Sequence, residues 1–554
     1  MSNRPIKLII VFVAMLFIGF TIPFSSLNDS QKQDYFEITK NLKIIASIYE
    51  KINTLYVDEP IPGELMKAGI DAMLQSLDPY TVYIPESNIE DYRFMTTGQY
   101  GGIGAVIKYI DDKLTITEPY ENSPCQIAGL QAGDHIIEVE GESTKGRTTE
   151  EMSTLLKGSA ETSVKIKYVR HNEIKEVSII RKKIDIPAVP YYGMLDEQIG
   201  YIKLTSFTDK ASAGILKGLE DLKENENMQK VIIDLRGNGG GLLGEAVNIV
   251  NMFIAKDQKV VETKGRIEEI NRTYKTRNAP FDLDIPVVIL IDAYSASASE
   301  IVAGSLQDLD RGVIIGNRSF GKGLVQQTKD VKFGAKVKLT VAKYYTPSGR
   351  CIQKLDYSNK NQYGQVSEVA DSLIQTYYTK NGREVKDARG VDPDVKIESG
   401  YYSRLSEVLI YNDHIFKYVN KYVRSHASLP PVKEFSLSEG EYNLFKEFLK
   451  KQEISYSNES SEFLNELIHS TEREKLYSSN KDQLESLKIQ LKPDLSNDLE
   501  RHKEEIIDVL ENEIVSRYYY QKGRVEASLK NDPYILKAKK VLGNLEEYHK
   551  ILNP

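Results

Sequence analysis

Val287-Val288-Ile289-Leu290-Ile291-Asp292-Ala293-Tyr294-Ser295-Ala296-Ser297-Ala298-Ser299-Glu300 begins as an unbroken apolar run and ends in alternating serines and alanines. An apolar run without polar alternation reads as a strand buried on both faces. From about Ser297 to Leu306 the pattern becomes helical. The strand-then-helix unit recurs on either side. Tyr201-Ile202-Lys203-Leu204 precedes a helical pattern from Ala211 to Leu222, and Val231-Ile232-Ile233-Asp234-Leu235 precedes one from about Leu243 to Ile254. Val313-Ile314-Ile315 supplies a further strand. Continuous Val/Ile/Leu strands separated by helices predict a mostly parallel sheet covered on both faces. In open sheets of this kind, ligands sit beyond the strand ends, where the helices begin.

The serine run occupies such an end. Backbone N–H groups at a new helix N-terminus are unpaired and partly positive, so they favour an anionic nucleophile or a developing oxyanion. A serine there also serves as an N-cap. A serine nucleophile needs a base. The seven histidines are His135, His171, His414, His426, His469, His502 and His549, and none lies between His171 and His414. A Ser-His-Asp triad built within the α/β region is therefore excluded, though not a histidine brought from another domain. The remaining candidate is a lysine held neutral. Phe320-Gly321-Lys322-Gly323 follows the Val313 strand, and its flanking glycines admit close backbone packing. Bringing a lysine from about 10.4 to about 7–8 costs roughly 3–4 kcal/mol, which an apolar pocket can supply. Gln326, four residues on, can orient the amine by a hydrogen bond. The alternative for Gly-Lys-Gly is a surface turn or a phosphate contact, but the full Walker pattern is missing. Asp234-Leu235-Arg236-Gly237-Asn238-Gly239-Gly240-Gly241 also follows a strand and opens a helix. Its glycines offer N–H donors to an oxyanion or a peptide carbonyl. The spacing fits a dinucleotide fingerprint poorly.

Beyond this core, 554 residues suggest about three to four domains. Residues that are 41% hydrophobic and 27% charged exclude wholesale disorder, and a net charge of −8 argues against a nucleic-acid partner. Cys125 and Cys351 are too few for a multi-cysteine metal site or a disulfide scaffold. Arg4 and Lys7 precede the apolar run Leu8 to Phe20, then Thr21-Ile22-Pro23-Phe24. This is the layout of an export signal, and no clean cleavage site follows it. We expect export, with residues 8–24 retained as a membrane anchor in preference to a cleaved signal. Asp34 to about Phe94 reads as helical until Ser76-Leu77-Asp78-Pro79-Tyr80 breaks the pattern. Tyr100 to Lys183 reads as a β-rich module with one helix, Thr149 to Leu156. After about Ser399 the chain is charged and helical, with Leu499, Ile506, Leu510, Ile514 and Tyr518 on one face and a linker at Pro430-Pro431. That tail reads as an oligomerisation, partner or packing segment, or as a solvated extension.

Together, the Ser295–Ile301 run, the Phe320–Gly323 turn with Gln326, and Asp234 to Gly240 resemble the carboxy-terminal processing peptidases, also called tail-specific proteases. Tyr345-Thr346-Pro347-Ser348-Gly349-Arg350 and Gly390-Val391-Asp392-Pro393-Asp394-Val395 match as well, and the likeness runs from about Asp34 to Val395. The resemblance implies a multidomain α/β protein with a mostly parallel, crotonase-like protease core, an inserted PDZ domain and helical segments at both ends. The expected divisions are 1–26 signal or anchor, 27–95 helical, 96–185 PDZ, 186–399 protease and 400–554 helical. It implies a serine-lysine dyad with Ser297 as nucleophile, Lys322 as general base and Gln326 as its orienting partner. The N–H of Ala298, with one from Gly239 or Gly240, would form the oxyanion hole, and no metal or cofactor is implied. In the PDZ domain, Gly102-Ile103-Gly104 would receive the substrate's terminal carboxylate and Ala105-Val106-Ile107 would pair with its last residues. The family often has Leu-Arg-Gly where this chain has Leu156-Lys157-Gly158, so Lys157 keeps the charge of a regulatory arginine without its bidentate fork. The implied activity is an endopeptidase, at the outer face of a bacterial inner membrane or in the periplasm. It would cleave polypeptides with apolar C-termini near that end, as a homo-oligomer or with an adaptor. The rival readings are a non-catalytic binding or chaperone protein on the same scaffold, and a crotonase-like acyl-transfer enzyme.

Overall fold

The computed structural model describes residues 29–361, 364–398 and 402–553. The export segment expected over residues 1–26 lies outside them. Among the described residues no helix is long and apolar enough to cross a membrane. The chain divides into two compact units at Pro79/Tyr80. The first holds helices α1 (Asp29–Leu55) and α2 (Pro62–Gln75). Pro62 opens α2 where its missing N–H costs nothing, and the Tyr49 hydroxyl donates to the Pro62 carbonyl at 2.9 Å.

The second unit opens with β1 (Val82–Ile84) and α3 (Ile89–Thr97). Strand β1 pairs with a strand of the α/β region, Tyr83 opposite Val337. The division placed at residue 95 from sequence is therefore too late for this strand. Three residues are too few to display a two-residue period beside strong helical patterns.

The β-rich module follows, entered by β2 (Gln99–Gly102) and left by β8 (Lys182–Asp185), which pair as an antiparallel ribbon. Between them lie β3 (Ala105–Ile110), β4 (Lys113–Pro119), β5 (His135–Val139), helix α4 (Thr149–Leu156), β6 (Ser163–Arg170) and β7 (Glu173–Ile180). The sheet's main path runs β3-β4-β5-β6-β7, leaving β3 at an edge. Thr148 and Glu151 form a reciprocal cap at the start of α4. Leu114, Ile116, Met152, Val164 and Ile166 are fully buried in the module's core.

The α/β region contains β9 (Tyr191–Met194), β10 (Ile199–Lys203), α5 (Ala211–Asn225), β11 (Lys230–Asp234), α6 (Leu243–Asn251), β12 (Lys259–Gly265), β13 (Val287–Ile291), α7 (Ala298–Asp308), β14 (Val313–Gly316), β15 (Leu324–Asp330), β16 (Lys336–Tyr345) and β17 (Val395–Lys396). One sheet runs β9-β10-β11-β13-β14-β17. Its first pair is antiparallel and the rest are parallel, with Val231 opposite Val287 and Ile289 opposite Ile314. A second sheet joins β1, β16 and β12, with β15 paired to β16. Helix α7 is buried along its whole length, so its polar side chains must find partners inside. Ser299 donates to the Asn238 carbonyl, Ser305 to that of Val260 and Gln307 to that of Asp392, each at 2.8 Å.

The tail includes α8 (Arg404–Tyr411), α9 (His414–Ser425), α10 (Glu439–Leu449), α11 (Lys503–Ser528), α12 (Pro533–Gly543) and α13 (Leu545–Leu552). Its last two helices cover one face of the parallel sheet: Ile535, Val541, Leu542 and Tyr548 pack on Ile232, Val288, Leu290 and Ile315. The opposite face carries α5, α6 and α7. The end of the tail is thus part of the α/β fold and not a solvated extension. Pro430-Pro431 is also packed, because the Tyr519 hydroxyl donates to the carbonyls of Leu429 and Pro430 at 3.0 Å.

Candidate active site

Strand β13 delivers the chain to Asp292, whose carboxylate accepts from the N–H groups of Tyr294, Ser295 and Gly237, each at 3.0 Å. This pins the turn and ties it to the glycine run after β11. Of the alternating serines, Ser295 and Ser299 are fully buried. Their hydroxyls donate to the carbonyls of Leu235 and Asn238, at 2.9 and 2.8 Å. Ser297 is half-buried and has φ 56°, ψ −112°. A non-glycine residue in that region is strained and is held there by its surroundings. Here the restraints are the Tyr344 hydroxyl, donating to the Ser297 carbonyl at 3.1 Å, and the Glu300 carboxylate, accepting from the Ser297 N–H at 2.8 Å. Tyr344 is wholly enclosed, and burial pushes its phenol well above the ordinary range.

Glu300 binds together two segments far apart in sequence. Its Oε2 accepts from the N–H of Ser297 and, at 2.9 Å, from the N–H of Lys322. Its Oε1 accepts from the Ser319 hydroxyl at 2.5 Å and the Gly321 N–H at 2.7 Å. Ser319 in turn accepts the Val391 N–H at 2.7 Å, which links the Gly390-Val391-Asp392-Pro393 segment to the same carboxylate. Glu300 is completely buried. Burial raises its pKa, and the bonds from Ser319, Lys322, Gly321 and Ser297 oppose the rise. Charge-assisted bonds of this type are the strong ones.

Lys322 is half-buried, and its Nζ lies 4.1 Å from the centroid of the Tyr80 ring, within the range where an aromatic face attracts a cation. A β-carbon on Gly323 would lie 2.7 Å from the Gln353 nitrogen, so glycine is required where the lysine turn meets the Gln353 backbone. The Gln326 amide donates to Thr340 Oγ1 at 3.2 Å on the neighbouring strand.

The glycine run lies directly against the serine turn. Asn238 accepts the Ala296 N–H at 3.0 Å, and its side chain takes the Gly240 N–H at 2.9 Å. Among the described residues, the N–H groups of Gly239 and Ala298 donate to nothing. Asp234 anchors the run. Burial alone would raise its pKa, but Arg236 and Lys203 outweigh that and hold it well below the carboxylate range. A β-carbon on Gly240, at φ +99°, would lie 2.8 Å from Ser297 Cβ and 2.9 Å from the Ala298 nitrogen. Gly240→Ala is expected to cut turnover about 100-fold, the scale of an ångström-sized misplacement. Purified variants assayed with a melting curve will check this, since the strain itself is about 1–3 kcal/mol.

In the β-rich module, Gly102 pairs with Lys182 in the entry ribbon. The carbonyls of Ile103 and Gly104 accept from Cys125 and Tyr120 at 2.8 and 2.9 Å, and among the described residues their N–H groups donate to nothing. The Ile103 side chain is buried with Met152 and Leu156. Lys157 Nζ pairs with Asp91 at 2.9 Å and lies over the Tyr100 ring. Sequence reasoning did not give roles to Glu300, Tyr344, Tyr80 or Asn238. A glutamate three residues after a serine at a helix start reads as a cap, and nothing local signals that it is buried and shared with Lys322.

Residues 198–359 match peptidase family S41, residues 115–170 match a PDZ domain, and residues 405–542 match the C-terminal helical domain described for a probable PDZ-protease. The chain is 33% identical over 355 residues to a carboxy-terminal-processing protease of Bartonella bacilliformis, covering 63% of this chain and 80% of that one. It is 31% identical over 412 residues to a probable CtpA-like serine protease of Staphylococcus haemolyticus, covering 74% of each. Among solved structures, the photosystem II D1 C-terminal processing protease is 26% identical, with 64% of this chain and 92% of that one covered and a TM-score of 0.35.

Proposed function

The chain belongs to the carboxy-terminal-processing serine proteases of peptidase family S41, and from that premise we propose that it cleaves polypeptides near apolar C-termini by a Ser297–Lys322 dyad. Ser297 Oγ attacks the scissile carbonyl and Lys322 Nζ takes its proton. The N–H groups of Ala298 and Gly239 receive the developing oxyanion. Lys322 then returns the proton to the leaving amine, and water, activated by the same amine, hydrolyses the acyl-enzyme. Gln326 orients the lysine.

The observation that carries this reading is the Glu300 carboxylate, one oxygen of which accepts from both Ser297 and Lys322. It is supported by the hydroxyls of Ser295 and Ser299, which are committed to backbone carbonyls. The core is read as crotonase-like. The PDZ domain receives the substrate carboxylate at the N–H groups of Ile103 and Gly104, and the last residues add a strand to the open edge of β3. Lys157, through Asp91 and Tyr100, couples the end of α4 to helix α3. Export, with residues 8–24 as anchor, places the site outside the cytoplasm.

A fluorophosphonate serine probe is expected to label Ser297 in the full chain, with the adduct located by peptide mass spectrometry. An apolar-tailed protein should compete with labelling more strongly than the same protein ending in aspartate. Labelling elsewhere, or none in a preparation that cleaves the tailed protein, would sink the dyad.

A further inference from the structure

The PDZ domain meets the C-terminal helical domain through a contact that is polar and hollow. Lys108 of β3 reaches Asp413, just before α9, at 2.8 Å. One turn into α9, Lys417 pairs with Asp111 in the β3–β4 turn at 2.8 Å. Arg524 of α11 pairs with Glu118 of β4 at 2.8 Å. A cavity of about 780 Å³ lies between the domains, with Thr117 and His135 on one wall and Asn420 and Arg517 on the other. The apolar cores of the two domains remain separate clusters. Lys108 and Asp111 are 49% and 68% exposed. An exposed ion pair shifts an equilibrium by no more than about fivefold and is screened by salt.

Two further features bear on what this contact does. Tyr520 lies within the α11 run at φ 53°, ψ −154°, a strained conformation for a bulky residue. Its hydroxyl accepts from Gln126 Nε2 of the PDZ domain, so the strained residue also reaches across. At its other end the PDZ domain is joined to the catalytic region by the β2–β8 ribbon, and a lone two-stranded ribbon is marginal. The face used also matters. Ala105, Ile107 and Tyr109 turn toward the module's core, whereas Lys108 points to the opposite side of the sheet. The contact therefore takes the back of the sheet and leaves the β3 edge open.

We propose that the helical domain is a salt-releasable clasp on the back of the PDZ domain. Engaged, it holds the β3 edge in register with Ser297; released, it lets the PDZ domain swing on its ribbon. The proposal rests on the reading of Ser297 and β3 given above, and the test separates the two. In the full chain, Lys417→Asp and Asp111→Lys are each expected to raise KM for an apolar-tailed protein about fivefold, with probe labelling of Ser297 at the wild-type rate. The charge-swapped double variant should recover to within about twofold of wild type. Raising salt should raise the wild-type KM more than that of the single variants, which keep only the Lys108–Asp413 and Arg524–Glu118 pairs. Tyr520→Phe, which removes one hydroxyl, should act in the same direction with less effect. Spin labels on the two domains should report a broader distance distribution in the single variants than in wild type or the swap. Single variants with wild-type KM and salt response, or a swap no better than either single, would overturn the clasp. Loss of labelling in wild type would instead count against the dyad.

Discussion

Ser297→Ala is expected to reduce proteolysis of an apolar-tailed substrate by about 10⁴–10⁶-fold while the chain stays folded. Alanine keeps the backbone N–H that Glu300 holds and the carbonyl that Tyr344 holds, so the turn loses one hydroxyl and none of its backbone restraints. Ser295→Ala and Ser299→Ala are the internal comparison. Their hydroxyls satisfy the buried carbonyls of Leu235 and Asn238, so each is expected to cost about 1–3 kcal/mol of stability and much less chemistry. Lys322→Ala should match Ser297→Ala, and the double variant should be no worse than either, because a nucleophile and its base act as one unit. Single-turnover cleavage and thermal melts on the four variants and the double check this pattern. Cleavage by Ser297→Ala at the wild-type rate would remove the nucleophile assignment, and additive losses in the double variant would remove the dyad.

The parallel sheet was legible in the sequence because its central strands hold unbroken Val, Ile and Leu stretches, as at Val231–Ile233 and Val287–Ile291. Val287–Ile291 is read to the residue, and Thr149–Leu156 likewise, its cap being a local pattern. The second sheet was not legible. Lys336–Tyr345 mixes lysines with apolar residues, and it pairs with β1 across a sequence separation that no local pattern reports. The absence of histidine between His171 and His414 pointed to a lysine base from composition alone. The choice of Ser297 among the three serines rests on the family resemblance. Ser295 and Ser299 are fully enclosed where Ser297 is half-buried, a difference that the alternating Ser-Ala pattern conceals. Glu300 was hidden for the same reason: an acid in the first turn of a helix is ordinarily a solvated cap, and only the tertiary packing of α7 makes it a shared internal acceptor.

Glu300→Gln is the sharper test of how the site is held, and it is expected to lower kcat by about 10²–10³-fold with KM changed little. A carboxylate offers acceptors on both oxygens, and here all four donors use them. Glutamine offers one oxygen and an NH₂. With its oxygen toward Ser297 and Lys322, the NH₂ faces the Gly321 N–H; with the group reversed, it faces the N–H groups of Ser297 and Lys322. Either way donors meet, and the Ser297 and Lys322 segments lose their common anchor. Stability should move little, because the same change relieves the cost of burying a charge. The pH dependence distinguishes this from general damage. Burial holds the Glu300 pKa above its unfolded value, so the native state binds the proton more tightly than the unfolded one. Stability from this group therefore falls as pH rises from about 4.3 through the folded pKa, and acid relieves the cost. Activity should run the opposite way, because protonation removes an acceptor. Wild type should lose kcat on the acid side at a pH above that of an ordinary glutamate, and Glu300→Gln should lack that limb. Ser319→Ala removes one bond that favours the charged form, so its acid limb should move to higher pH. A Glu300→Gln enzyme with wild-type kcat, or one that retains the acid limb unchanged, would show that the shared carboxylate does not set the distance between nucleophile and base.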